Sequence, residues 1–281
     1  MNVSVNPTKR LKTEPLHPTI GTVIGGIDAK RELDQTTVDF VRQALLDYKV
    51  VFLRGQHLSV EEQDRFGQYF GDLLEHPINI GGRYPDTDWL EAQGYRIRAE
   101  NWHSDLAFLE KPALGTILSL TEQPAVGGDT LFADLEAAYK GLSQPVRELV
   151  DGLTVLHDAE NFSDWAWGPN VDAERRAAIL NFSARKVEHP LVKTHPETGR
   201  KSLFAVRGFA RKIKGLNDEE SAGILSLLAA HVTKAEYVVR FKWQPGDIAF
   251  WDNRATLHRV SNDFGDAPRK LQRILISQFG T

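Results

Sequence analysis

The chain has 281 residues, 41% of them hydrophobic, which suffices for one large buried core or two small ones. Lys and Arg number 34 against 38 Asp and Glu, a formal net charge of −4, which gives no electrostatic case for nucleic acid or an acidic membrane as partner. Cysteine is absent, so disulfides, thiolate nucleophiles, iron–sulfur clusters and Cys-type zinc are excluded together, and any metal must be held by His and carboxylates. Such ligands suit iron(II), manganese or catalytic zinc. No apolar run reaches 18 residues, no apolar leader opens the chain, and a cytoplasmic location is expected.

Residues 1–18, with "KRLK" at 9–12, read as a flexible solvated tail, and residues 19–281 as a single domain. "IGTVIGGID" predicts a short strand and a glycine turn. "DQTTVDFVRQALLDYK" places Val38, Val41, Leu45 and Tyr48 at helical spacing. "VVFLRG" is a continuous apolar strand from Val50 to Leu53, stopped by Gly55. Ser59 and Glu62 form a capping box for a helix running through Phe66 and Phe70. Residues 76–101 read as a long loop, of a length that is usually functional or disordered. "GTILSL" (115–120) and "TLFA" (130–133) are strands, and helices follow around Leu135–Leu142 and Pro145–Leu153. The segment from Asn161 to Asn181 has weak pattern and reads as a lid or interface bearing Trp165 and Trp167. "SLFAV" (202–206) predicts another strand, and Asn217 with Glu220 caps a helix carrying Ile224, Leu225 and Leu228. The end is strand after strand: "YVVRFKW", "DIAFWD", "TLHRV" and "QRILISQF". Strands in the middle and at the end, without strict β–α alternation, predict a mainly β sandwich or barrel-like core with flanking helices.

"ENWHSDLAF" sets His103 and Asp105 at i and i+2, which point to one face of an extended segment. His258 in "WDNRATLHRV" supplies a third donor. Two His and one carboxylate make a facial triad that leaves three octahedral positions of iron(II) open for cosubstrate and dioxygen. A His-x-Asp pair is common by chance, and the other histidines (His17, His57, His157, His189, His195 and His231) read as surface, loop or core residues. Arg269 and Arg273 lie eleven and fifteen residues beyond His258. Strand alternation places Arg273, Leu275, Ser277 and Phe279 on one face, with Arg269 of the same parity and roughly 13 Å away along the backbone. Two guanidiniums facing one cavity need anions to meet them, and each can clamp a carboxylate or sulfonate in bidentate fashion. A metal with two anion clamps points to two anionic small molecules.

"NWHSDLAF", "GGDTLFAD", "HPLVKTHPETGRKSLF" and "PGDIAFWDNRATLHRV", with the two arginines after it, resemble in order the taurine dioxygenase (TauD/TfdA) family of iron(II)/2-oxoglutarate-dependent dioxygenases. The resemblance runs from about Ile20 to the C-terminus. It implies a double-stranded β-helix (jelly-roll) core and iron held by the catalytic triad His103, Asp105 and His258. It implies 2-oxoglutarate as cosubstrate with O2, its far carboxylate on Arg269 and Thr130, and the primary substrate's anion on Arg273 and His76. Phe209 matches an aromatic wall residue. Asn79, Ala99 and Ala159 depart from the taurine enzyme, so the substrate expected is a small anion other than taurine: a sulfonate, a sulfate ester or a carboxylic acid. Hydroxylation in catabolism and hydroxylation or desaturation in a specialised biosynthetic pathway both fit. Asp105 argues against the halogenating relatives, which lack that carboxylate. A zinc hydrolase or a metal-free jelly-roll binding protein is the alternative outside this chemistry, and a homo-oligomer (dimer or tetramer) is what relatives imply.

Overall fold

A computed structural model describes residues 11–74, 99–168 and 171–277. In chain order, strands β1 (Lys12–Pro15) and β2 (Thr22–Gly25) precede helix α1 (Gln35–Tyr48), β3 (Val50–Leu53), α2 (Val60–Gln68) and β4 (Leu73–Leu74). Strands β5 (Gly115–Glu122) and β6 (Thr130–Asp134) lead to α3 (Leu135–Gly141), α4 (Gln144–Val150) and β7 (Thr154–Asp158). A 3-10 helix (Glu160–Trp167) and α5 (Ala173–Ser183) come before β8 (Lys186–Pro190), β9 (Val192–Thr194), β10 (Lys201–Leu203) and β11 (Ala210–Ile213). Helix α6 (Asp218–Val232) then gives way to β12 (Val238–Phe241), β13 (Ile248–Asp252), β14 (Thr256–Val260) and β15 (Lys270–Ile276).

A seven-stranded sheet of order β1-β2-β3-β13-β5-β15-β4 faces a three-stranded sheet of order β12-β6-β14, with β11-β7-β8 and β10-β9 as smaller sheets. All pairings are antiparallel except β2 with β3. The central strands β3, β5 and β13 of the large sheet are buried on both faces. Val50 and Phe52 of β3 and Ala249 and Trp251 of β13 join Phe132 and Phe241 in the interior. Their alternates Val51, Leu53, Ile248 and Phe250 pack under α1 and α2 with Val41, Leu45 and Phe66. Burial on both faces is why these strands read as unbroken apolar runs. Phe52 stacks on Phe241 at 3.8 Å, which ties the two sheets together.

Local signals set the helix starts. Asp34 accepts the Thr37 N–H at 2.7 Å. Ser59 with Glu62 and Asn217 with Glu220 each close a reciprocal capping box. Helix α2 ends at Gln68, short of the expected Phe70, which is still buried.

Several expectations need correction. The tail drawn as 1–18 is too long, because Lys12–Pro15 pairs with β2, Lys12 opposite Gly25. An edge strand made of Lys, Thr, Glu and Pro has the composition of a solvated tail, so only the pairing distinguishes them. The strand expected at 202–206 stops at Leu203, since Ala205 turns left-handed with φ 44°. Strands β7, β8, β9 and β11 were not expected; they are short and polar, as "KVEHP" shows. The weakly patterned 161–181 segment holds the 3-10 helix and α5, with Phe162 and Phe182 packed beside Phe108. The 76–101 loop lies outside the described residues except for its last three positions. Among the described residues no helix is long and apolar enough to cross a membrane.

Three of the remaining histidines are core residues. His195 binds Asp252 at 2.9 Å. His189 reaches the Leu109 carbonyl at 2.9 Å, and His157 the carbonyls of Val155 and Ala205 at 3.1 and 3.2 Å. Burial pushes His157 down to about 4 despite those carbonyls, and pushes His189 down to about 4 with help from Lys193. Between pH 6.5 and 4 the unfolded chain therefore binds protons that the folded one refuses, so stability falls as pH falls through that window. His157 accounts for on the order of 2–3 kcal/mol of that loss. Urea titrations at stepped pH are expected to show a His157→Phe variant with a shallower acid slope than the parent over the same interval.

Candidate active site

The His103 segment lies along β14 as one more extended element of the small sheet. His103 donates its N–H to the His258 carbonyl at 3.0 Å and accepts the His258 N–H at 2.9 Å. Two further bonds extend this contact: Val260 N–H to Ala99 O at 2.7 Å, and the Ser104 hydroxyl to Thr256 O at 2.6 Å. His258 sits opposite Phe132 on β6, with its ring toward the interior beside Phe132 and Trp251. The alternation of β14 puts Thr256, His258 and Val260 on that face, while Leu257 joins the apolar cluster beneath α3 and α6.

His103 Nε2 lies 3.8 Å from Asp105 Oδ1, and His258 Nε2 lies 3.7 Å from Asp105 Oδ2. One donor atom from each of His103, Asp105 and His258 falls within 4.8 Å of the others. Residues 153 positions apart in sequence thus converge on one point, as the His/Asp/His spacing predicted. His103 Nδ1 is 2.7 Å from the Asn101 carbonyl, an acceptor only, so the proton sits on Nδ1 and the Nε2 lone pair faces the cluster. Burial, with His103 beside it, pushes His258 well below its ordinary value, leaving the neutral imidazole that a metal requires. Burial also raises Asp105, against the opposing pull of His103 and the Thr116 hydroxyl. A buried carboxylate between two bare imidazole nitrogens is a donor set for a divalent first-row cation.

Arg273 projects inward from β15 at the position facing Leu118 of β5, as strand parity predicted. Its Nη1 donates to Asp105 Oδ1 at 3.1 Å, a contact the sequence did not foretell. Arg269 precedes β15 and bonds the Gly128 carbonyl through Nε at 3.2 Å, but its buried Nη2 has no hydrogen-bond partner. Burial pushes both guanidiniums down to about 10, against the Asp129 charge in the case of Arg269. Both remain cations at neutral pH, and an anion would offset the desolvation. Thr130 faces the interior from β6, and its Oγ1 accepts the Trp243 indole N–H at 2.9 Å, which leaves its own proton to give. The unpartnered Arg269 donor and the Thr130 hydroxyl fit a carboxylate such as that of 2-oxoglutarate.

Phe209 stands 6.4 Å from the His103 ring and 4.8 Å from Phe108, edge to face in both cases. Ala159 is fully buried in the same apolar cluster, with Leu106 and Leu275. Ala99 holds its place through its carbonyl bond to Val260. His76 and Asn79 lie outside the described residues. Two residues that serve the site escaped the sequence reading. Gly208, at φ 77°, lies so close to His103 that a Cβ there would stand 2.8 Å from the His103 Cβ. Thr116 donates to Asp105 Oδ2 at 2.7 Å. Its signal was parity: it is the one polar member of an inward row with Leu118 and Leu120.

Gly208→Ala is expected to displace His103 and weaken iron(II) binding by tenfold or more in an anaerobic metal titration. Gly215→Ala is the control: φ 83° gives the same backbone penalty, but nothing lies within 4 Å of the new methyl, so metal affinity is expected to stay as in the parent. Replacing Arg269 by Lys keeps the charge and loses the fork. It is expected to raise the KM for 2-oxoglutarate tenfold or more with the metal affinity unchanged, as read from succinate formation against cosubstrate concentration.

Comparison with known proteins places this geometry. The family model described as "Taurine catabolism dioxygenase TauD, TfdA family" matches residues 12–275. An alpha-ketoglutarate-dependent sulfate ester dioxygenase of Pseudomonas putida is 36% identical over 275 residues, which covers 95% of this chain and 89% of that one. An alkylsulfatase of Acinetobacter baylyi is 36% identical over 278 residues, covering 97% and 86%. The crystal structure of a taurine dioxygenase from Burkholderia xenovorans superposes with a TM-score of 0.77 at 34% identity, covering 95% of this chain and 90% of that one. The jelly-roll fold and a chemistry dependent on iron(II), 2-oxoglutarate and O2 follow, and the hydrolase and binding-protein alternatives fall away. The chain belongs to the TauD/TfdA family and is an iron(II)- and 2-oxoglutarate-dependent dioxygenase.

Proposed function

We propose that this dioxygenase hydroxylates an organic sulfate ester, or a sulfonate of similar shape, at the carbon next to the sulfur-bearing group. The observation that carries the reading is the placement of Arg273. Its guanidinium enters the site beside Asp105, and the residue after Asp105, Leu106, belongs with Phe108 and Phe209 to a buried apolar cluster whose Phe209 meets the His103 ring. A cation and an apolar cluster converging on one site suit an anion with an apolar tail. Ala159, fully buried and among the departures from the taurine enzyme that the resemblance implies, suits a tail unlike that of taurine. The sulfate ester and alkylsulfate relatives at 36% identity point the same way.

In this reading His103, Asp105 and His258 hold iron(II), and Arg269 with Thr130 holds the far carboxylate of 2-oxoglutarate. With O2, the bound iron and cosubstrate supply the oxidising power that turns a C–H bond into C–OH while 2-oxoglutarate becomes succinate and carbon dioxide. The chain does the positioning. Arg273 fixes the anion, so the neighbouring carbon is the one presented to the metal. Phe209 and Phe108 exclude water from that side and hold the tail. A hydroxylated sulfate ester bears a hydroxyl and the sulfate oxygen on one carbon. Loss of the hydroxyl proton forms the carbonyl, the bond from carbon to the sulfate oxygen breaks, and an aldehyde and sulfate leave.

The test is a panel of alkyl sulfate esters, alkyl sulfonates, taurine and aryloxy carboxylates, scored for substrate-dependent succinate. Medium-chain alkyl sulfates are expected to release sulfate in a one-to-one ratio with succinate. Taurine is expected to give at least a hundredfold lower kcat/KM, and Arg273→Ala to raise the KM for the alkyl sulfate more than tenfold. Turnover confined to aryloxy carboxylates, with no sulfate or sulfite released, would refute the substrate class.

A further inference from the structure

Asp105 does not take its orientation from its own segment, a turn just past the His103 pairing. Thr116 on β5 and Asn253 in the turn between β13 and β14 hold it through a chain of hydrogen bonds whose direction the chemistry fixes. Asn253 Oδ1 accepts two N–H groups, the Asp105 backbone at 3.2 Å and the Trp251 indole at 3.0 Å. Neither of these donors can accept, so the amide has one orientation and its Nδ2 must face Thr116. Nδ2 donates to Thr116 Oγ1 at 2.9 Å. Having accepted that bond, the hydroxyl gives its own proton to Asp105 Oδ2 at 2.7 Å. Every member is shielded from water: Thr116 is 0% exposed, Asn253 and Trp251 1% each, and Asp105 5%. With no water to substitute, each bond in the series depends on the one before it.

The turn that carries Asn253 is itself anchored. Asp252 binds His195 at 2.9 Å and Arg254 at 2.6 Å, and Arg254 reaches Glu197 at 2.9 Å. Asn253 N–H donates to the Leu114 carbonyl at 2.9 Å, next to β5. The chain of bonds therefore runs from a fixed turn, through the large sheet, to a carboxylate on a segment that otherwise belongs to the small sheet.

We propose that Thr116 and Asn253 are positioning residues that lock the Asp105 carboxylate in the rotamer that completes the metal cluster. This rests on the reading of Asp105 as an iron ligand. Locking means that no rotational freedom is lost when metal arrives, and that Oδ2 carries a fixed hydrogen bond.

The test uses the full-length chain titrated anaerobically with iron(II) in the presence of 2-oxoglutarate, followed by the visible charge-transfer absorption of the chelate. Thermal unfolding of each metal-free variant is measured alongside. Thr116→Val is expected to bind iron 10- to 100-fold more weakly. Thr116→Ser keeps the hydroxyl, loses only a methyl, and is expected to stay within about threefold of the parent. Asn253→Asp supplies the discriminating reading. It adds negative charge near the site, which on charge alone would tighten cation binding, but it draws the Thr116 proton away from Asp105, so weaker binding is expected. Should Thr116→Val fail to fold, Thr116→Ser against Asn253→Asp carries the same test. Parental or tighter iron binding in Thr116→Val and Asn253→Asp overturns the proposal. Asp105→Ala separates the two claims: if it retains parental iron affinity, the ligand assignment fails. If it loses iron while Thr116→Val does not, only the positioning role fails.

Discussion

Two backbone hydrogen bonds, His103 N–H to His258 O and the reverse, are the constraint on which the site depends. They add the segment from Ala99 to His103 to the edge of β14 as an antiparallel neighbour, which makes two imidazoles directly opposed. Opposed residues on paired strands lie near enough for their side chains to meet, and here the ring centroids are 4.2 Å apart. Asp105, two residues on, then falls between them. The two histidines thus owe their approach to backbone pairing, while Asp105, in the turn that follows, is held from the large sheet by Thr116 and Asn253.

The site holds several charges that water solvates only in part. Asp105 lies between two imidazoles and Arg273, and Arg269 has one buried donor nitrogen unpartnered. An unmatched buried donor costs roughly 1–3 kcal/mol, and a buried cation costs more. The fold tolerates this because β3, β5 and β13 supply a core buried on both faces, with Phe52, Phe132, Phe241 and Trp251 fully enclosed around the polar end. Apolar burial of that extent offsets a site whose charges await iron(II), 2-oxoglutarate and substrate. The same physics makes the site selective, since a ligand that brings no anion leaves the Arg269 donor unmatched.

The polar and the apolar residues around the site come from different kinds of element. His258 and Thr130 lie on β14 and β6, and Arg273 on β15, all tied into sheets. The wall of Phe108, Phe162 and Phe209 comes from the connections around Asp105, the 3-10 helix and β11. Connections tolerate substitution better than ladders do, so substrates can change around an unchanged iron centre. The names of relatives with similar overall identity include a sulfate ester in one case and taurine in another.

The features with local causes can be read from the order of residues. The capping boxes at Ser59 and Asn217, the apolar run of β3, and the parity that sends Arg273 inward were legible because each depends on a few adjacent residues. The triad was legible too, because His-x-Asp and the arginine offsets after His258 are strung along the chain in fixed order. Tertiary structure alone decided the rest. Nothing local separates Lys12–Pro15 from a loose tail until β2 offers its edge, and polar strands such as β8 gain their form from pairing. Thr116 and Asn253 serve Asp105 across 11 and 148 positions of chain. A hydrogen bond depends on distance and direction in space, and sequence spacing encodes those only within one element; between elements, the packing of two sheets sets them.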